Sequence, residues 1–102
     1  MPRLTRYGFI FMAPGHTPQQ STAHLPSEQF TTTVVGVSDI NEACTAAQDL
    51  VNQGIELIEL CGGFEAVDEE AVIRHIDCDV PVGRVVFTRN EEAEKMKRFL
   101  NS

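Results

Sequence analysis

The sequence predicts an α/β fold: one small domain spanning residues 1–102, with about four mainly parallel strands alternating with helices. Three observations lead there. Four apolar runs of strand length, over residues 6–13, 30–37, 55–61 and 80–88, each end at turn-forming residues. The stretches after the second, third and fourth runs carry helical periodicity. The first and third runs are apolar on both faces over most of their length, the pattern of strands in a sheet covered on both sides.

The first helix lies between the second and third runs. Ile40, Ala43, Cys44, Ala47, Leu50 and Val51 follow the i, i+3, i+4, i+7 spacing of one helical face. Asp39 can accept the free N–H groups of the first turn, Glu42 three residues later completes a capping box, and Gly54 supplies a left-handed terminator. A second helix is expected from about Asp68, with Asp68, Glu69 and Glu70 at the positive end of its dipole, and Pro81 stops any continuation. A last helix begins at Asn90 and places Ala93, Met96, Phe99 and Leu100 at helical spacing, acids early and bases late. Residues 14–29 are polar and carry Pro14, Pro18 and Pro26. They are read as a crossover connection, with Thr17-Pro18 able to start a short helix over residues 19–24.

Composition narrows the function. For 11.3 kDa, surface scaling gives ~5,700 Å² exposed when folded against ~16,000 Å² for the open chain, so a core forms without disulfides or metals. Fifteen acids against eight bases give a net charge of −7, which excludes a nucleic-acid or anionic-membrane surface built on clustered Lys and Arg. No apolar run approaches a bilayer span, and the short apolar stretch before Pro14 has no signal-peptide cleavage site. Cys44, Cys61 and Cys78 are an odd number with no C-x-x-C pair, so neither a disulfide framework nor a zinc site is expected, and a reducing cytoplasm is.

In a parallel α/β sheet, ligands collect at the C-terminal ends of the strands. Those ends fall at residues 13–16, 36–39, 61–64 and 88–90. Cys61 precedes a Gly62-Gly63 turn whose free N–H groups could activate a thiolate or hold an oxyanion, and His16 at the same edge is the candidate base. The alternative readings are a small buried thiol and a solvated loop histidine. Gly15, Asp39, Gly62 and Gly63 are the further candidate ligand contacts. Glu59, on an otherwise apolar strand, needs a partner, and Arg84 in the fourth run is the expected one, as a structural pair or a ligand contact. Glu65, Asp68, Glu69 and Glu70 follow the glycines at once, and no Lys accompanies them. At an effective dielectric of ~20, one like charge at ~6 Å costs an anion roughly 3 kcal/mol, which counts against phosphate. The acids lack an EF-hand pattern or a His at ligand spacing, so no metal or other cofactor is expected.

Val34-Val35-Gly36-Val37, a capped helix, Ile58-Glu59-Leu60-Cys61-Gly62-Gly63-Phe64 and Val80-Pro81-Val82-Gly83 occur in that order. With the opening Phe9-Ile10-Phe11-Met12-Ala13-Pro14-Gly15, this resembles a small family of short proteins known as a domain of unknown function, over most of residues 8–87. Members often carry Gly after the Phe, where this chain has Glu65, which further weakens a phosphate cradle. The resemblance implies the fold and carries no activity.

Two functions fit this pattern. One is a small-molecule binding protein or enzyme, taking an unidentified neutral or modestly polar ligand near Cys61-Gly62-Gly63. The other is a homo-oligomeric structural or regulatory module whose uncovered sheet face makes the contact. A thiol redox protein is disfavoured, because no second cysteine lies near Cys61 in sequence.

Overall fold

A computed structural model describes residues 3–100. The elements in chain order are β1 (Arg6–Met12), β2 (Thr22–Pro26), β3 (Thr31–Val37), α1 (Ile40–Asn52), β4 (Leu57–Leu60), α2 (Ala66–Ile76), β5 (Val82–Arg84) and α3 (Asn90–Leu100). The strands form one sheet in the order β2-β3-β1-β4-β5. The pairs β1–β3, β1–β4 and β4–β5 are parallel, and β2 runs antiparallel to β3 at the edge. The expected α/β class holds, with five strands in place of about four.

The additional strand is β2, in the segment read as a crossover. After β1 the chain turns at Gly15, whose φ of +87° is the left-handed region that glycine occupies at no steric cost. It then crosses the top of β3, where Gly36 N–H donates to the Ser21 carbonyl at 2.8 Å. From there β2 descends and returns through a tight turn in which the Ser27 hydroxyl donates to the Phe30 carbonyl at 2.8 Å. Pro26 is tolerated because an edge strand has a row of N–H groups that need no partner. No helix forms over residues 19–24; Thr17 anchors only a turn, accepting from the N–H groups of Gln20 and Ser21.

α1 starts as expected: Asp39 Oδ1 accepts from Glu42 N–H at 2.8 Å, while the Glu42 carboxylate accepts from Ser38 N–H at 2.7 Å. Gly54 follows it with φ +90°. α2 starts two residues earlier than Asp68, at Ala66, with the Asp68 carboxylate accepting from Glu65 N–H at 2.8 Å. α1 and α2 pack against each other and cover the same sheet face. Between them and the sheet lie Ile10, Val35, Val37, Ala43, Ala47, Leu50, Ile58, Leu60, Phe64 and Val72, all buried. Gly8 belongs to this layer because an added Cβ would lie 3.0 Å from Ile55 and 3.1 Å from Leu50.

The fourth apolar run pairs only over Val82–Arg84. Beyond one further bond, Val85 N–H to the Leu60 carbonyl at 2.9 Å, Val85, Val86 and Phe87 are exposed. α3 buries no residue. Among the described residues no helix is long and apolar enough to cross a membrane.

Candidate functional site

The candidate residues separate into three places. At the ends of β1 and β3, the Nδ1 of His16 lies 2.8 Å from the Ser21 hydroxyl, and its ring sits edge-on to Phe11 with centroids 4.8 Å apart. The His16 carbonyl accepts from the Ser38 hydroxyl. Gly15 makes the turn there, and Asp39 is occupied in capping α1. These residues brace the loop that carries the chain over β3.

Cys61 stands at the end of β4, its N–H donating to the Ile10 carbonyl at 3.0 Å and its Sγ accepting from Met12 N–H at 3.4 Å. The thiol is half-buried against the core. Among the described residues no hydrogen bond joins Cys61 to His16; the imidazole is engaged by Ser21 instead. Cys44, also half-buried, has its thiol pushed up by burial and then by the charge of Asp68, which keeps it protonated.

Glu59 and Arg84 do not pair. Glu59 lies opposite Phe9 and Gly83, whereas Arg84 lies opposite Leu60, so the two point to opposite faces of the sheet. The Glu59 carboxylate accepts from the Tyr7 hydroxyl at 2.5 Å. Arg84 reaches toward α2, where its Nε is 3.4 Å from the Glu69 carboxylate.

The third place is a groove at the C-terminal edge with a volume of about 450 Å³. Gly62, Gly63 and Phe64 form its floor, and Arg84, Met96, Lys97 and Leu100 its walls. The turn is closed by Phe64 N–H donating to the Cys61 carbonyl at 3.1 Å. A Cβ on Gly62 would lie 3.5 Å from Met96 Sδ, and one on Gly63 would lie 3.5 Å from Cys61 Sγ, so the thiol sits under the floor. Arg84 is the distinctive group. Its side chain is 27% exposed, its Nε is shut off from solvent, and among the described residues the guanidinium makes no hydrogen bond. Buried polar groups are nearly always satisfied, and a guanidinium offers five donors.

Gly62, Gly63 and Arg84 are thus brought together, with Cys61 beneath them. Nothing in the sequence marks Met96, Lys97 or Leu100 as site residues. Their helix was legible, but nothing in its periodicity said that its inner side faces a glycine turn. The acids nearby are engaged: Asp68 by the Glu65 N–H, Glu69 by Arg84, and Glu70 by Arg74 at 3.0 Å. A larger groove, of about 760 Å³, is lined by residues 4–6 and 27–31. It lies at the opposite sheet edge, away from the strand ends where α/β ligands collect.

No curated protein and no solved structure matches the chain. One family model does, over residues 5–101, nearly the whole length. The chain belongs to the family of unknown function DUF6506.

Proposed function

We propose that the protein binds a small, neutral or modestly polar molecule in the groove over Gly62-Gly63. The observation that carries this reading is Arg84, a half-buried guanidinium lining the groove without a hydrogen bond from the described chain. A ligand oxygen in the groove would accept from the outer N–H groups of this guanidinium, whose enclosed Nε faces the Glu69 carboxylate. Glycines at the floor let a ligand approach the backbone, and Met96 and Leu100 offer an apolar wall. Glu65 at the rim and the capped start of α2 disfavour a phosphate. Three free thiols suit work in a reducing compartment such as the cytoplasm.

The test is a thermal-shift screen with small amides, alcohols and esters, run on the native chain and on Arg84→Gln. A binder should raise the native Tm, and Arg84→Gln should weaken it at least ~10-fold, the loss of one charge-assisted hydrogen bond. A binder held equally by both proteins contradicts the reading.

A further inference from the structure

The sheet face turned away from α1 and α2 carries a row of partly exposed aromatic side chains. Gly8 and Ile10 face the helices, so alternation sends Tyr7, Phe9 and Phe11 of the central strand to the other side. Register places Thr32, Val34 and Gly36 beside them on one flank, and Leu57 and Glu59 on the other. The Phe11 ring lies over Gly36, where an added Cβ would sit 2.6 Å from its Cζ. Leu25 extends the patch on β2 and is 60% exposed. Among the described residues, α1 and α2, which pack on the strands, lie on the other face.

Two further facts indicate that something does cover it. β1 is apolar on both faces, a pattern suited to burial on both sides. The chain exposes 6940 Å², about 1,200 Å² more than the ~5,700 Å² scaling gives for a monomer of this mass, and a standard interface takes ~800 Å² from each partner.

We propose that this face is a homodimer interface, covered in solution by the same face of a second copy of the chain. The strands place no Lys or Arg on it, so it offers nothing to an acidic partner, and Glu59 near its centre opposes an anionic one. A two-fold axis along β1 lays the Tyr7–Phe9–Phe11 row against its own copy. Glu59, Phe9 and Val34 stand level across the sheet, so the same axis brings each Glu59 over β3 of the second copy. The two Glu59 backbone positions are then ~10 Å apart across the strands, in sheets ~10 Å apart. The Tyr7 hydroxyl supplies the hydrogen bond that a covered carboxylate needs.

Sedimentation equilibrium of the full chain from ~1 to ~500 µM tests this, together with Phe9→Glu and Leu25→Glu. The native chain should approach twice 11.3 kDa at the upper end. Each variant should raise the dissociation constant at least ~10-fold, while Arg74→Glu, on the exposed side of α2, leaves it unchanged. Leu25 is exposed enough for its variant to fold, should Phe9→Glu not. A native mass of 11.3 kDa throughout, a mass above the dimer, or a dimer indifferent to Leu25→Glu overturns the proposal.

Discussion

The Tyr7 hydroxyl donates to the Glu59 carboxylate at 2.5 Å, tying β1 to β4 on the sheet face turned away from α1 and α2. The phenol is pushed up to about 12, first by burial, then by this hydrogen bond and by the charge of the carboxylate. Tyr7 is the chain's single Tyr and there is no Trp, so an ultraviolet titration reads it directly. Its midpoint should lie near about 12. Glu59→Gln should lower it part of the way toward ~10, because the burial contribution stays. A native midpoint at the ordinary value contradicts the pairing.

The same shift sets the alkaline limit. A raised folded-state value means that this group's contribution is fully present below the unfolded value of ~10 and is lost as pH rises toward the folded one. Alkaline unfolding should therefore be less steep in Tyr7→Phe, as circular dichroism along a pH series would show.

At the acid end, Glu56 holds the entry to β1. Its carboxylate accepts from Thr5 N–H at 2.9 Å and Arg6 N–H at 3.0 Å. These bonds hold it below the usual carboxylate range. The sign is opposite to that of Tyr7: the contribution is present above ~4.3 and lost as pH falls through the folded value. Glu56→Gln should flatten the decline of Tm between neutral and acid pH, and an unchanged slope would count against the clasp.

Leu50, under the sheet against Gly8 and 1% exposed, should cost about 2–5 kcal/mol when cut to Ala, measured by urea unfolding. Val67→Ala, at 72% exposure, should stay within ~0.5 kcal/mol.

Thiol alkylation followed by mass spectrometry should modify exposed Cys78 first and Cys44 last, since burial keeps the latter protonated. Cys61 reacting ahead of Cys78 would support its reading as a nucleophile.

The α/β class, α1 with its Asp39 cap and the turn at Gly62-Gly63 could be read from residue types, because each rests on local pattern. What depended on register could not. Glu59 and Arg84 look like natural partners until β4–β5 pairing sets Arg84 opposite Leu60 and hence on the other face. β2 was hidden because Thr22, His24 and Pro26 neither alternate cleanly nor form an apolar run, and an edge strand needs neither. Conversely, Val85, Val86 and Phe87 have strand composition but stand beyond the end of β4, where no neighbouring strand continues. The groove wall was illegible for a similar reason. Met96 and Leu100 mark a helix face, and only the fold shows that it meets Gly62.

The proposed binding over Gly62-Gly63 is tested most directly by amide chemical-shift mapping on the full chain, titrated with small amides, alcohols and esters. Saturable shifts should centre on Gly62, Gly63, Phe64 and Lys97, with a midpoint at least ~10-fold higher in Arg84→Gln. Shifts confined to residues 4–6 and 27–31, or a midpoint unchanged by Arg84→Gln, would contradict the proposed binding.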